Sequence, residues 1–147
     1  MVLNTYDNSE FDLNGACKEK PTVLIFYRGG WCPYCDTHLC ELQSIESELV
    51  QLGFQIIAVS PDRSDLLQKP VDKHGLKYQI LSDSEMSAAK SFSIVFRVGD
   101  ATVDKYKKSY GIDLEADSGY KHHLLPVPSV FVVGTDGIIL FSYVNPK

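Results

Sequence analysis

Two short apolar runs, Val23-Leu-Ile-Phe-Tyr27 and Phe54-Gln-Ile-Ile-Ala-Val-Ser60, constrain what this chain folds into more than any other feature. Each is rich in β-branched residues and almost continuous rather than alternating, which is the pattern of strands buried on both faces of a parallel sheet. Parallel neighbours need a crossover connection, and the residues between the runs supply one. From Cys35 the apolar positions Leu39, Leu42, Ile45 or Glu46, Leu49 and Leu52 recur at helical spacing, with Asp36, Glu41, Gln43, Ser44 and Glu48 off the stripe and Gly53 as a C′ residue. The first half of the chain is therefore predicted to run strand, helix, strand.

The alternation continues downstream. A second helix is predicted around residues 64–74, closed by Gly75, then a strand near residues 78–81, then Ser82-Asp-Ser84 as the cap of a short helix ending at Phe92. Ser129-Val-Phe-Val-Val133, the turn Gly134-Thr-Asp-Gly137 and the run over residues 138–144 predict a hairpin, with Asp136-Gly137 supplying the positive φ angles. Residues 94–126 show no clear period and read as an insertion with a helix over residues 104–110. No repeat, low-complexity segment or linker divides the chain, so residues 1–147 are expected to form one α/β domain. Its sheet is mixed, with a parallel core, a C-terminal β-hairpin and helices on both faces.

A composition of 44% hydrophobic and 22% charged residues suits a soluble domain that buries its own core, and excludes a mini-protein stapled by disulfides. The apolar runs are strand-sized, far short of the ~20 residues that span a bilayer, and no secretion signal opens the chain, so a cytoplasmic protein is expected, with no membrane partner. Fourteen Lys and Arg against nineteen Asp and Glu give a net charge of −5 without a basic block, which gives nucleic-acid binding no electrostatic support. Of the four cysteines, Cys17, Cys32, Cys35 and Cys40, three fall within nine residues. In a reducing compartment such a cluster marks a redox or metal site more often than a structural bridge.

Trp31-Cys-Pro-Tyr-Cys35 sits where a buried strand ends and a helix begins, after Arg28-Gly29-Gly30. Pro33 suits helix position N1, which makes Cys32 the N-cap, with free backbone N–H groups and the positive end of the helix dipole aimed at its sulfur. Those groups favour the thiolate, the nucleophilic form, so Cys32 is expected to be an exposed attacking thiol. Cys35 follows one turn later on the face of Leu39 and Leu42, buried and close enough to bond Cys32 as the resolving thiol. Cys40 lies ~140° round the helix from Cys35 and ~7.5 Å along it, so those two bond only if the helix unwinds. Val127-Pro128-Ser129, just before a hydrophobic strand, is the second half of the constellation, and a cis Val127–Pro128 bond is one way to turn that backbone toward a neighbouring site.

Cys-x-x-Cys at a strand-to-helix junction, Trp31 directly before it and Val-Pro before a late strand resemble the thioredoxin superfamily. That resemblance implies a thioredoxin-like three-layer fold in which a cis-proline loop, here Val127 and Pro128, binds the partner chain beside the cysteines, with Trp31 contacting that partner. The segment 26–35, Ser60-Pro61-Asp62 and Leu81-Ser-Asp83 most resemble peroxiredoxin-like proteins of the alkyl hydroperoxide reductase and thiol-specific antioxidant family. The ungapped match implies peroxide attack by Cys35, with Cys32 or Cys40 as the resolving thiol. It also sets Cys32 where the family carries threonine and Pro128 where it carries arginine, two groups that polarise the peroxide, and Arg28 is the residue that would substitute a cation. The substrate is accordingly a peroxide or a disulfide and the reductant a thiol such as thioredoxin or glutathione, with no metal or organic cofactor. Cys-Pro-Tyr-Cys and the strand over residues 127–134 also resemble glutaredoxins, which leaves a glutathione-dependent reductase as an alternative.

Blander readings stand beside these. Cys32, Cys35, His38 and Cys40, with Cys17 or His122 and His123, are an alternative zinc set that would make the chain a non-catalytic binding module. Cys40 by itself reads as a buried helix cysteine, Cys17 as a bystander, the histidines as surface or loop residues, and Asp62 and Asp83 as helix caps. A thioredoxin-like domain usually adds a helix after its last hairpin, whereas only Asn145-Pro146-Lys147 follows Val144 here. The uncovered sheet face is thus expected to be covered by residues 94–126 or by a second copy in a homodimer, unless the sequence is truncated.

Overall fold

The computed structural model describes residues 2–144, apart from the side chains of Pro33, Tyr34, Asp36, Pro70 and His74. Its centre is the predicted crossover: β3 (Thr22–Phe26), α2 (Pro33–Gln51) and β4 (Gln55–Ser60), with β3 and β4 parallel and in register from Thr22↔Gln55 to Phe26↔Val59. β5 (Gln79–Ser82) extends the parallel core, and β8 (Ser129–Val133) and β9 (Ile139–Val144) close the other side as an antiparallel hairpin. The hairpin turn takes its positive φ from Gly137 alone (83°), and an irregularity between Val132 and Val133 absorbs the extra residue. Asp136 is not in that region, because the turn needs only one left-handed residue, the one that carries no Cβ.

A second hairpin, β1 (Val2–Asn4) with β2 (Glu10–Asp12), lies at the far edge, giving the order β2-β1-β5-β4-β3-β8-β9. Three-residue strands leave too short a pattern to be read locally. The short α1 (Leu13–Glu19) follows, and carries Cys17.

Alternation along the buried strands builds two apolar layers. Leu24, Phe26, Ile57, Val59 and Phe131 face one side with α1 and α4 (Ser87–Ser91), while Val23, Ile25, Ile56, Ala58 and Ile80 face α2 and α3 (Gln68–His74). The α2 stripe runs through Leu39 and Leu42 and then Glu46, with Ile45 exposed, and Gly53 (φ 89°) follows the last turn. Asp83 caps α4, its carboxylate accepting from the Ala88 and Ala89 N–H groups at 3.1 and 3.0 Å. Asp62 caps no helix and has a different role, described below.

Residues 94–126 hold more structure than their composition predicts: β6 (Val95–Arg97), α5 (Asp100–Tyr110), α6 (Leu114–Ser118) and β7 (Leu124–Pro126), with β6 and β7 paired antiparallel. They form a third apolar cluster around Val98, Leu114 and Leu125, against which Trp31 packs. They do not cover the hairpin, since all six residues of β9 are exposed. Asn145, Pro146 and Lys147 lie outside the described residues.

The Phe26, Phe92 and Phe131 rings meet at centroid distances of 4.8 to 6.1 Å beneath the sheet. Phe131→Ala should therefore destabilise the fold by about 3–5 kcal/mol, whereas truncating exposed Leu140 should change it by about 0.5 kcal/mol or less; urea unfolding monitored by circular dichroism checks both.

Candidate active site

The loop after β3 and the first turn of α2 build the site. Cys32 is the N-cap of α2, its φ of −88° and ψ of 116° turning the chain into the helix, with Pro33 as the first helical residue. The Cys32 sulfur accepts the Cys35 N–H at 3.4 Å, so the sulfur occupies the place of a capping oxygen. The Cys35 sulfur accepts the Arg28 N–H at 3.4 Å. No cysteine of the described chain is in a disulfide.

Both thiols are buried, Cys32 at 4% exposure and Cys35 at 5%, which corrects the expectation of an exposed cap thiol. The cause is tertiary, because the helix start lies between β3 and the beginning of β8. A hydrogen bond with Cys32, burial and the Cys32 charge together push the Cys35 thiol far above its ordinary value, outweighing the Arg28 amide and guanidinium. In such a pair the proton is held on Cys35.

The two cysteines line a cavity of about 300 Å³ with Tyr27, Arg28, His38, Pro128 and Tyr143 among its walls. Burial lowers the His38 imidazole below its ordinary value and so keeps it neutral at pH 7. Burial, then the charge of Asp62, pushes the Tyr27 phenol up, which keeps it protonated. Arg28 Nε is buried without a hydrogen-bond partner.

Of the residues singled out in the sequence, Cys32, Cys35, Arg28 and Pro128 thus share one cavity. Trp31 does not line it, but packs on the Tyr106 ring of α5 at 5.9 Å. Val127 packs against the first apolar layer, and its N–H donates to the Ile94 carbonyl at 2.6 Å. No described peptide bond is cis, so Val127–Pro128 is trans; the turn is held instead by the Ser129 hydroxyl donating to the Val127 carbonyl at 2.6 Å.

Cys40 is exposed on the outer face of intact α2, not buried, because position 40 lies off the Leu39 and Leu42 stripe. Cys17 packs against the opposite layer of the sheet from Cys32 and Cys35. His122 and His123 anchor the 94–126 segment through the Ser84 carbonyl at 2.8 Å and the Glu115 carboxylate at 2.7 Å. Among the described residues no three His, Cys, Asp or Glu side chains converge, so the alternative zinc set is not brought together.

Sequence reasoning takes His38 as a surface or zinc-set residue and Asp62 as a helix cap, and does not single out Tyr143. His38 is legible in retrospect, three residues beyond Cys35 on the same helix. Tyr143 reaches the site only because β9 pairs with β8 in the register Val130↔Tyr143. Asp62, 4% exposed just past the end of β4, accepts the Gly30 N–H at 2.8 Å, and burial raises its carboxyl to about 7.

Known proteins share the family and the fold of this chain. The model of the AhpC/TSA family matches residues 1–142. Peroxiredoxin Bcp of Bacillus subtilis is 32% identical over 94 residues, covering 64% of this chain and 54% of the relative. Thiol-disulfide oxidoreductase ResA of Halalkalibacterium halodurans is 27% identical over 95 residues, covering 64% and 53%. The chain thus spans about half the length of these curated relatives. The crystal structure of peroxidoxin BcpB from Mycobacterium tuberculosis superposes with a TM-score of 0.78 at 18% identity, covering 100% of this chain and 82% of that one, which establishes the thioredoxin-like fold. With a mixed sheet and a family match over nearly its full length, the chain belongs to the AhpC/TSA family.

Proposed function

We propose that the chain is a thiol-dependent oxidoreductase that cycles between a Cys32/Cys35 dithiol and a disulfide to reduce disulfides or peroxides. The observation that carries this reading is the placement of both sulfurs at the start of α2 in one cavity, with Cys32 receiving the Cys35 N–H. In the disulfide reaction the Cys32 thiolate attacks one substrate sulfur, a mixed disulfide forms, and the other substrate sulfur leaves as a thiolate and takes up a proton. Cys35 attacks the Cys32 sulfur and its proton passes to the departing substrate sulfur, which closes the Cys32–Cys35 disulfide and releases the second substrate thiol. Two electrons have then passed to the substrate, and a thiol reductant such as thioredoxin or glutathione returns them.

The family match and the Arg28 N–H on the Cys35 sulfur support a second, peroxidatic route. There the Cys35 thiolate attacks a peroxide oxygen, the O–O bond breaks with release of water or an alcohol, and Cys32 condenses with the sulfenic acid, losing water. The Arg28 side chain and Pro128 form the substrate wall of the cavity. The cysteine usage supports a cytoplasmic setting, and the exposed apolar β9 edge supports a homodimer in which a second copy covers it.

Turnover with hydrogen peroxide and with a protein disulfide separates the routes. Cys32→Ser and Cys35→Ser should each lower disulfide reduction about a hundredfold or more. Rapid peroxide consumption that survives Cys32→Ser and disappears in Cys35→Ser would make Cys35 the attacking thiol, and one tightly bound zinc per chain would sink the oxidoreductase reading. The order of ionisation has its own check. Limited alkylation of the reduced protein at pH 7, read by peptide mass, should modify Cys40 and Cys32 before Cys35, and early labelling of Cys35 contradicts the assignment.

A further inference from the structure

One buried acid is left unused by the dithiol reaction. Asp62 lies just beyond β4, under the loop that carries Gly29, Gly30 and Trp31, and its position is fixed from behind. The Ser82 hydroxyl donates to the Asp62 carbonyl at 2.5 Å, and the Asp83 N–H donates to the Ser60 carbonyl at 2.7 Å. In front, the carboxylate Oδ2 accepts the Gly30 N–H at 2.8 Å. The carbonyl of that same peptide unit, that of Gly29, accepts the Cys32 N–H at 3.2 Å. One peptide plane therefore joins the Asp62 carboxylate on one side to the Cys32 backbone on the other. Gly29 (φ 153°) permits this approach, since a Cβ there would meet the Trp31 indole and come within 3.0 Å of Asp62 Oδ1.

We propose that Asp62 is a positioning residue for the dithiol, which holds the Gly29–Gly30 peptide and through it the Cys32 N-cap, and that its charge tunes Cys32 reactivity. The inference rests on the reading of Cys32 as the attacking thiol. Burial keeps the carboxyl at about 7, helped by the charge of Asp117 on α6 and opposed by the Gly30 N–H and by Lys69 on α3. The other titratable or charged groups around it are Tyr27 and Arg28 after β3, Arg63 on its own loop, and His122 and His123 before β7, the last held by Glu115. Below pH 7 the neutral carboxyl still accepts the Gly30 N–H through its carbonyl oxygen. Above pH 7 the carboxylate accepts it more strongly and adds a negative charge behind the site, which disfavours the Cys32 thiolate. Thiol reactivity should then rise with pH less steeply across this range than a lone thiol requires.

The test is the rate of Cys32 alkylation by iodoacetamide between pH 5 and 9, followed by peptide mass on Asp62→Asn and Asp62→Ala chains whose fold is checked by circular dichroism. Asp62→Asn keeps an oxygen for the Gly30 N–H, so its rate should stay within about twofold of the wild type at pH 6, with the inflection near pH 7 gone. Asp62→Ala removes the contact and should slow Cys32 about tenfold at pH 6, where the carboxyl it replaces is mostly neutral, the equivalent of one net hydrogen bond. Wild-type rates in Asp62→Ala, or an unchanged inflection in Asp62→Asn, overturn the proposal. If Asp62→Ala does not fold, the Asp62→Asn profile decides alone. Because alkylation reads the thiol and not turnover, failure of the dithiol mechanism shows in the cysteine variants and stays distinguishable from failure here.

Discussion

The in-register parallel pairing of β3 with β4 is the contact on which the rest of the structure depends. Five residues of each strand pair, from Thr22↔Gln55 to Phe26↔Val59, and the Tyr27 N–H carries the ladder one step further to the Val59 carbonyl at 3.0 Å. Both faces are buried, so each strand contributes side chains to two apolar layers at once and a register slip would misplace both. Parallel strands also end at the same edge of the sheet. The loop that leads to Cys32 and the turn that carries Asp62 therefore leave the sheet side by side, and α2 begins there.

From that arrangement the two thiols acquire different chemistry although they are neighbours of similar burial. Cys32 caps the helix and receives an N–H from it, while Cys35 keeps its proton because the Cys32 sulfur, burial and the Cys32 charge all oppose its ionisation. One helix turn separates the two residues, and the Cys35 N–H spans it to the Cys32 sulfur at 3.4 Å. The 94–126 segment acts on this site indirectly. Its α5 holds Trp31 against Tyr106, and the Asp117 carbonyl of α6 accepts the Arg63 N–H at 2.7 Å, so the turn that carries Asp62 and the loop before Cys32 are both tied to it. A segment without readable period thus contacts both the loop before Cys32 and the turn that carries Asp62.

Features decided by neighbours in sequence were legible in the sequence. The α2 stripe, its Pro33 start and Gly53 stop, the hairpin turn at Gly137 and the placement of Cys32 and Cys35 one turn apart at the start of α2 all follow from spacing and local backbone preference. What tertiary structure decided is everything that depends on which element lies across from which. It buried Cys32 under β8, left Cys40 on the solvent side of α2, drew Trp31 away from the cavity to α5, brought Tyr143 in through the register of β9, and made Asp62 a support for the Gly29–Gly30 peptide rather than a helix cap. The physical reason is one of range. Periodicity and capping act within a few residues, whereas the exposure of a thiol and the protonation of a buried acid are set by desolvation and by charges that arrive from distant strands, and no local pattern records those.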